Sequence, residues 1–199
     1  MIINTYPVGE YGANCYFVID NLSKDTIVID PGANGKSIIR EIDRLGCNLK
    51  AILLTHAHFD HIGAVEELKE KYSIPLYVNE GEVENTKINN TVYSKLPNDY
   101  KLINDGDILK FNNINVKCLH TPGHSKGGMC FLIQDNVFTG DTLFQGSIGR
   151  TDFVTGNYDT LINSIEEKLM VLDKNTKVYP GHGPSSTIIY ERMRNPFLQ

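Results

Sequence analysis

Three histidines and an aspartate lie within six residues of one another, directly after the apolar run Ala-Ile-Leu-Leu: His56, His58, Asp60 and His61. Side chains of an extended segment alternate between two faces, so His56 and His58 point to the same side, where both imidazoles can bind one cation at about 2.0–2.1 Å. If the chain turns into a helix near Ile62, Asp60 and His61 face a second cation. Solvated or core histidines are the plain alternative, but packing and solubility do not explain this interleaved pattern. The motif therefore predicts half of a two-metal site after a buried strand.

Strands and helices alternate along the rest of the chain. Apolar alternation bounded by Gly, Pro and Asx residues predicts strands at Ile2–Tyr6, Cys15–Asp20, Thr26–Asp30, Ala51–Leu54, Leu76–Val78, Ile108–Phe111, Ile114–Leu119, Met129–Ile133, Val137–Thr139 and Lys177–Pro180. Apolar residues at helical spacing predict helices at Ser37–Leu45, Ala64–Tyr72 and Tyr158–Leu172. Residues 79–98 are polar and weakly periodic, which predicts a short helix and a surface excursion, and the sequence leaves open whether this excursion lies beside the pocket. The alternation predicts a layered α/β protein with its functional side chains at the carboxyl ends of strands.

Further candidate ligands follow later strands. His124 and His182 each follow a strand and lie among glycines, and Asp141 lies in a Gly-Asp-Thr turn. His120 also lies at a strand end, but His124 comes after the Thr-Pro-Gly turn and parallels His182. We therefore predict His124 as a ligand and His120 as a buried or supporting histidine. Asp141 is predicted as the second carboxylate ligand, with an Asx-turn role as its alternative.

The candidate ligands are five histidines and two carboxylates with no thiolate among them. This donor set suits Zn, Fe or Mn at an open, catalytic position rather than a closed structural zinc site. One carboxylate between two cations about 3.5–4 Å apart is typical of hydrolytic two-metal sites. The cysteines are widely separated and are predicted to be reduced, mostly buried residues: Cys15, Cys47, Cys118 and Cys130.

Length, composition and charge favour some broad classes of protein over others. At 199 residues, with 41% hydrophobic and 22% charged residues, the chain is predicted to form a single domain over 1–199. A formal net charge of -5 and a pI near 5.7 disfavour a nucleic-acid partner. No apolar run approaches the ~18 residues of a membrane span, and Met1 to Tyr6 lacks the features of a secretory signal. We therefore expect a cytoplasmic protein that acts on a small molecule away from membranes, and the sequence makes no prediction of oligomeric state.

Six motifs in order resemble the metallo-β-lactamase-fold hydrolases, and within them the short glyoxalase II-like (hydroxyacylglutathione hydrolase-like) branch. They are Thr-His-Ala-His-Phe-Asp-His-Ile-Gly (55–63), Thr-Pro-Gly-His-Ser (121–125), Gly-Asp-Thr-Leu-Phe (140–144), Gly-Arg-Thr-Asp-Phe (149–153), Gly-His-Gly-Pro (181–184) and Asn-Pro-Phe-Leu (195–198). The resemblance implies a four-layer αββα sandwich with two divalent metal ions, zinc first and Fe or Mn as alternatives, at one edge of the sheets. It also implies ligands for the first metal (His56, His58 and His124), for the second (Asp60, His61 and His182) and a bridge between them (Asp141).

The resemblance also implies a thioesterase reaction. Two cations activate a shared water, which attacks the thioester carbonyl of an S-acyl (hydroxyacyl) thiol conjugate, and Asp60 orients that water as well as binding metal. Arg150 is the candidate partner for a substrate carboxylate, with an ion pair to Asp152 or Asp141 as its structural alternative. Asp30, Thr55 and Thr121 are candidate partners of the ligands, with ordinary turn and strand-end roles as their alternatives.

Two other functions stay open at this point. An iron-dependent persulfide dioxygenase has the same ligand set and would use one iron on His58, or its neighbour His56, with His124 and Asp141. The other possible function is that of a noncatalytic metal-binding module. Asp152 and the Gly183-Pro184 pair stand where glutathione-binding relatives have tyrosines, and the chain ends at Gln199, so we expect no C-terminal helical region and a more open pocket.

Overall fold

The computed structural model describes residues 1–88 and 90–199 and contains two six-stranded sheets. Asn89, part of the predicted excursion 79–98, lies outside the described residues. The first sheet has its strands in chain order: β1 (Ile2–Val8), β2 (Ala13–Ile19), β3 (Asp25–Ile29), β4 (Asn48–Leu53), β5 (Leu76–Val78) and β6 (Lys101–Leu102). The strands β1 to β3 are antiparallel, and the pairs from β3 to β6 are parallel.

The second half of the chain builds the second sheet and a short ribbon. The strands are β7 (Ile108–Phe111), β8 (Ile114–His120), β9 (Met129–Ile133), β10 (Asn136–Gly140), the ribbon β11 (Leu143–Phe144) and β12 (Ser147–Ile148), then β13 (Lys177–Pro180) and β14 (Ser186–Thr187). The order in the second sheet is β14-β13-β10-β9-β8-β7, with β10 and β13 parallel. Each sheet therefore comes from one half of the chain.

The helices connect strands and cover the sheets. They are α1 (Gly35–Leu45), α2 (Phe59–Ile62), α3 (Val65–Tyr72), α4 (Glu80–Asn85), α5 (Tyr158–Ser164) and α6 (Ile188–Arg194), with a 3-10 turn at Pro196–Leu198. Gly46, the residue directly after the first helix, adopts a φ of +62° and its N–H donates to Asp43 O. Within residues 1–88 and 90–199, no helix is long and apolar enough to cross a membrane.

The predicted helix Tyr158–Leu172 is interrupted in the structure. After α5 the chain forms a π-turn at Ile165–Leu169, in which Met170 N donates to Ile165 O at 2.9 Å. Leu161, Ile165 and Leu169 recur every four residues and are fully buried. In an α-helix a stripe with that spacing drifts by about 40° per step. The wider turn rotates less per residue and keeps the three side chains on the sheet.

Three apolar clusters separate four layers. The strand β2 shows the division, because Phe17 packs toward α1 and α3 while Tyr16 and Val18 face the second sheet. The outer face of the second sheet packs against α5 and the π-turn through residues such as Val137 and Leu161. Strands covered on both faces are buried throughout, as β2 is. The predicted αββα sandwich is confirmed.

The loops that follow β4, β8, β10 and β13 meet at one edge of the sandwich. Met129 N donates to Thr55 O at 2.8 Å, which joins the loop after β4 to the second sheet. Gly181 N donates to Gly140 O at 2.7 Å, which joins the loops after β10 and β13. Asn14 N in turn donates to Gly181 O at 2.7 Å. The predicted ligands are therefore carried to one place by four strand ends.

Candidate metal centre

The first group of predicted ligands is a buried cluster of three imidazoles. His56 and His58 follow β4, and His124 follows β8 across the interface between the sheets. One ring nitrogen from each lies within 4.8 Å of the others, and the three residues are 2–4% exposed. His124 Nδ1 lies 2.8 Å from the carbonyl oxygen of Arg150, which as a carbonyl can only accept. Because Nδ1 donates in this contact, His124 Nε2 is the ring nitrogen that faces the cluster, 3.1 Å from His58 Nδ1.

The second group combines a carboxylate with two imidazoles. Asp60 and His61 lie on α2, the short helix predicted near Ile62, and His182 follows β13. Asp60 Oδ2 lies 3.2 Å from His182 Nε2 and 3.8 Å from His61 Nε2. The three ligand atoms lie within 4.8 Å of one another. The turn into α2 therefore brings Asp60 and His61 to His182, while the rings of His56 and His61 stay 4.1 Å apart.

Asp141 lies between the two clusters. Its Oδ2 is 3.6 Å from His124 Nε2 in the first cluster, and its Oδ1 is 3.5 Å from His61 Nε2 in the second. Oδ2 also lies 3.8 Å from His182 Nε2. One carboxylate thus faces nitrogens of both clusters, which is the position predicted for a bridge.

Several buried polar atoms in the centre have no hydrogen-bond partner among the described residues. They are His56 Nε2, His58 Nε2, His61 Nε2 and Asp141 Oδ1. Burying a polar atom without a partner is costly, and native proteins rarely leave four of them together. Imidazole nitrogens and carboxylate oxygens at this spacing are the donors of Zn, Fe and Mn. The residues present therefore fit divalent cations.

In the metal-free chain, the histidines of the two clusters differ in their protonation. Burial lowers the pKa of His56 and His124, and it lowers the pKa of His58 to about 2, so these imidazoles are neutral at pH 7. Burial alone would also lower the pKa of His61, but the carboxylates of Asp141, Asp30 and Asp60 outweigh it and raise that pKa to about 9. The first cluster is therefore ready to bind a cation, whereas the second carries a proton that a cation must displace.

The carboxylate of Asp60 is ionised in the same environment. Burial would raise its pKa, but the hydrogen bond from His182 and the charges of His61 and His182 lower it to about 2. The pKa of His182 is raised in turn, because burial is outweighed by its hydrogen bond to Asp60 and by the charge of Asp141. The second cluster thus combines an ionised Asp60 with a protonated His61.

Asp30 contacts a predicted ligand of the second cluster, which is one of the two roles expected for it. Its Oδ2 accepts from Thr55 Oγ1 at 2.5 Å and lies 3.0 Å from His61 Nδ1, while its Oδ1 accepts from Thr55 N at 2.8 Å. Thr55 Oγ1 also lies 3.0 Å from His56 Nδ1. Thr121 instead contacts Cys130 Sγ and Thr142 Oγ1, so it supports the loop and not a predicted ligand.

His120 lies outside both clusters. Its Nε2 is 3.2 Å from the carbonyl oxygen of Lys126, and its backbone N–H donates to Asp105 Oδ1 at 2.9 Å. It belongs to none of the ligand groups formed by the described residues. The structure thus places His124 but not His120 among the predicted ligands, and His120 is partly exposed rather than buried.

A cleft of about 480 Å³ opens onto the predicted ligands. Its walls beyond the ligands are mostly apolar and aromatic, formed by Tyr11, Phe59, Phe144, Ile148 and Phe153. The ring of Phe59 meets that of Tyr11 edge-on at 5.1 Å. The cleft is therefore suited to an organic molecule with an apolar portion.

Arg150 lies at the mouth of this cleft. Its guanidinium forms two hydrogen bonds to Asp152, at 2.9 and 2.7 Å, and lies 4.5 Å above the ring of Phe153. Both charged side chains are about two-thirds exposed, at 68% and 65%. The ion pair with Asp152 named as an alternative is present, and the guanidinium still lines the cleft.

Two residues of the site escaped the sequence analysis. Tyr93 forms an isolated β-bridge with His58 and its ring lies 4.7 Å from that imidazole, so the excursion 79–98 does border the site. Glu82, on α4, is fully buried behind the loops that carry the first cluster. Neither Glu82 nor Tyr93 lies in a recognisable motif. The polar composition of residues 79–98 was the one feature of the sequence that could have drawn attention to them.

Comparison with known proteins gives the same assignment over the whole chain. The model of the metallo-beta-lactamase superfamily matches residues 8–182. The probable metallo-hydrolase YqgX of Bacillus subtilis is 42% identical over 204 residues, covering 96% of this chain and 95% of that protein. The hydroxyacylglutathione hydrolase GloC of Haemophilus influenzae is 39% identical over 215 residues, covering 100% of this chain and 98% of that protein.

Solved structures share the fold over nearly the full length. BLEG-1, a B3 metallo-beta-lactamase, superimposes with a TM-score of 0.91 at 35% identity and covers all of both chains. ETHE1 from Myxococcus xanthus has a TM-score of 0.85 at 28% identity, covering 98% of this chain and 84% of its own. TTHA1623, solved in a di-iron-bound form, has a TM-score of 0.84 at 33% identity, covering 98% of this chain and 100% of its own.

Proposed function

Because the chain belongs to the metallo-beta-lactamase superfamily, we propose that it is a dinuclear metal-dependent thioesterase of the glyoxalase II-like kind. The observation that carries the proposal is the position of Asp141, whose carboxylate faces nitrogens of both clusters at 3.5–3.8 Å. The 39% identity to a hydroxyacylglutathione hydrolase and the di-iron form of TTHA1623 support it. The proposed ligands are those of the two clusters with Asp141 between them: His56, His58, His124, Asp60, His61 and His182.

The chemistry follows from the donor set. Two divalent cations would lower the pKa of a water toward neutrality and polarise a carbonyl oxygen. Zinc is the first choice, and Fe or Mn are alternatives, since the same nitrogen and oxygen donors accept all three. Asp60, ionised because its pKa is about 2, accepts a hydrogen bond from the attacking water and so orients it. Its contact with His182 at 3.2 Å holds that carboxylate in place.

The walls of the cleft determine what the site can hold. The aromatic and aliphatic side chains of Tyr11, Phe144 and Ile148 bind the apolar part of an acyl thiol conjugate and exclude bulk water from the carbonyl. Arg150 is proposed to pair with a carboxylate of the substrate, in competition with Asp152. A thiolate is a good leaving group, so the mechanism assigns no separate general acid. A cytoplasmic location stays a prediction from the sequence.

A mononuclear iron persulfide dioxygenase is the second candidate. The similarity to ETHE1 from Myxococcus xanthus favours it, since that chain superimposes with a TM-score of 0.85. A single iron would then be held by His58 or His56 together with His124 and Asp141. The two candidates differ in the number of metals, in the substrate and in the need for oxygen.

One sample distinguishes the two candidates. The protein is purified without added metal, and metal content per chain, thioester hydrolysis and oxygen uptake on a persulfide are measured together. About two metals per chain with thioester turnover and no oxygen uptake would support the proposed thioesterase. A single iron with oxygen consumption would replace it with the dioxygenase. As a control, Asp141→Ala should stay folded while losing both turnover and metal.

A further inference from the structure

Glu82 is a fully buried carboxylate that none of the proposed chemistry uses. It lies on α4, and both of its carboxylate oxygens accept hydrogen bonds inside the protein. Its Oε2 accepts from Ala57 N at 2.7 Å. Its Oε1 accepts from Gly127 N at 2.8 Å and from Asn85 Nδ2 at 3.2 Å. A buried carboxylate with three donors is expensive to bury and rigid once satisfied.

The two backbone amides belong to the two loops that carry the first cluster. Ala57 stands between His56 and His58, and Gly127 stands three residues after His124. The carboxylate thus joins loops that come from different sheets, after β4 and after β8. The spacing between these loops sets the distance between the histidines they carry.

The fit around this contact leaves little freedom. A Cβ on Gly127 would lie 2.4 Å from Glu82 N, and a Cβ on Gly81 would lie 2.8 Å from Gly127 Cα. The start of α4 therefore packs backbone against backbone on the loop after β8. Within that space the Glu82 side chain accepts from both amides.

The same network continues to Tyr93, which packs against His58. Asn85 Nδ2 also donates to the hydroxyl of Tyr93 at 3.2 Å, and that hydroxyl lies 2.5 Å from Thr155 Oγ1. The ring of Tyr93 packs against His58, with ring centroids 4.7 Å apart. A continuous polar chain thus runs from the two loops to the segment beside Phe153.

A second buried carboxylate lies behind the centre and acts differently. Asp30 contacts His61 Nδ1 at 3.0 Å and reaches His56 through Thr55, whereas Glu82 contacts the backbone amides of both loops that carry the first cluster. We propose that Glu82 is the positioning residue of the cation site formed by His56, His58 and His124. The proposal rests on the proposed function insofar as these histidines bind metal, but it holds for either the thioesterase or the dioxygenase.

The test is the variant Glu82→Gln, which keeps size and shape. Its NH₂ group must face the N–H of Ala57 or of Gly127, so one of the two contacts becomes a repulsion between donors. We expect the first cation to bind about 10–100 times more weakly while the second is retained, as found when outer partners of metal ligands are removed. Metal content per chain after gel filtration, which should fall by one equivalent, and the absorption spectrum of the cobalt-substituted protein report this without any activity measurement.

The matched control is Glu84→Gln on the same helix. Glu84 is exposed and pairs with Lys126, so it links the same two segments from the surface. This variant should bind both cations as the unaltered chain does. Weakened binding in Glu84→Gln equal to that in Glu82→Gln would overturn the proposal, because any contact between the segments would then suffice.

Two further outcomes decide the inference. If Glu82→Gln folds and binds both cations as tightly as the wild-type chain, the proposal is overturned. If Glu82→Gln does not fold, amide hydrogen exchange of the metal-free wild-type chain replaces it as the test. We expect the amides of Ala57 and Gly127 to be protected together. Exchange of these two amides as fast as in an open loop would overturn the proposal. A wild-type chain that binds two metals without thioester turnover would instead overturn the proposed function alone.

Discussion

The two histidines of segment 120–124 differ in what surrounds them. His124 faces His58 and Asp141, whereas the ring of His120 contacts the carbonyl oxygen of Lys126. We therefore expect His120→Ala to retain both metals and His124→Ala to lose one equivalent. Metal content per chain, measured after gel filtration of both variants, checks the expectation.

The opposite pattern would show that the wrong histidine was assigned. Loss of a metal from His120→Ala, with His124→Ala unchanged, would move the ligand from the loop after β8 into the strand. Circular dichroism of both variants provides the control for folding, since both substitutions lie at the same strand end.

Arg150 should influence substrate binding without influencing the chemical step. Its guanidinium lines the cleft but contacts none of the predicted ligands with its side chain, so its interaction with a substrate carboxylate is the same before and during reaction. Arg150→Gln should raise KM for S-lactoyl-glutathione by about three- to tenfold and leave kcat unchanged, a modest effect because the side chain is exposed. Asp152→Asn, which frees the guanidinium, should lower KM.

A thioester with an uncharged thiol provides the control for this experiment. With S-acyl-N-acetylcysteamine, KM should be the same in wild type, Arg150→Gln and Asp152→Asn. An equal change in KM for both thioesters would mean that Arg150 shapes the cleft and does not bind a carboxylate.

The site residues that could be predicted from sequence are those in local motifs. His56, His58, Asp60 and His61 lie within six residues, and their geometry follows from strand alternation and the turn into α2. Glu82 could not be found in this way, because its partners lie 25 and 45 residues away along the chain. The pairing of Arg150 was left between Asp152 and Asp141, since side-chain rotamers decide it.

At the scale of elements, the loop after β3 locks the helix that carries two ligands. Gly63 N donates to Gly32 O at 3.0 Å, and a Cβ on Gly32 would lie 1.7 Å from the carbonyl oxygen of Asp60. Gly32→Ala should therefore displace α2, lower stability by about 1–3 kcal/mol and release the cation of the second cluster. Thermal unfolding and metal content of the variant measure the two effects.

Gly106→Ala is the matched control for Gly32→Ala. Gly106 has a φ of +81° in a turn with open space around it, so alanine there costs about 1–2 kcal/mol through backbone strain. Because the turn carries none of the predicted ligands, both metals should remain. Retention of both metals in Gly32→Ala would show that α2 is held by other contacts.

The elements that could be predicted are those with strong periodicity. The long strands and the helices α1 and α3 were expected within a few residues of their observed bounds. The strands β6, β11, β12 and β14 have two residues each, too few for any period, and exist because a neighbour pairs with them. Helix α6 was missed, since its seven residues make only about two turns, too few to show a clear helical period.

At the scale of the whole molecule, metal uptake should be coupled to protons. His61, with a pKa raised to about 9, is protonated at pH 7 in the metal-free chain and must lose that proton to bind a cation. Affinity at the second cluster should therefore rise with pH from 7 to about 9, with release of at least one proton. Zinc titrations by calorimetry in buffers of different ionisation enthalpy measure the release.

The first cluster is the internal control for this coupling. Burial lowers the pKa of His56, His58 and His124, so these residues have no proton to lose between pH 7 and 9. One of two binding steps should thus depend on pH and the other should not. Two steps with the same pH dependence would contradict the assignment of the clusters.

The fold class could be predicted from sequence, because motif order and strand patterning agreed with a layered sandwich. The assignment of each strand to one of the two sheets could not be predicted, since it depends on which strand faces pack against each other between the sheets. Tyr16 and Phe17 are both buried aromatic residues, and only the structure shows that they belong to different cores.

Each cluster takes two ligands from the first half of the chain and the third from the second half. His56 and His58 are joined by His124, and Asp60 and His61 are joined by His182. A chain cut between β6 and β7 would yield two fragments, and neither would contain a complete triad. Metal capture would then signal reassembly, so this architecture is a natural starting point for a split-protein reporter whose output is a bound ion.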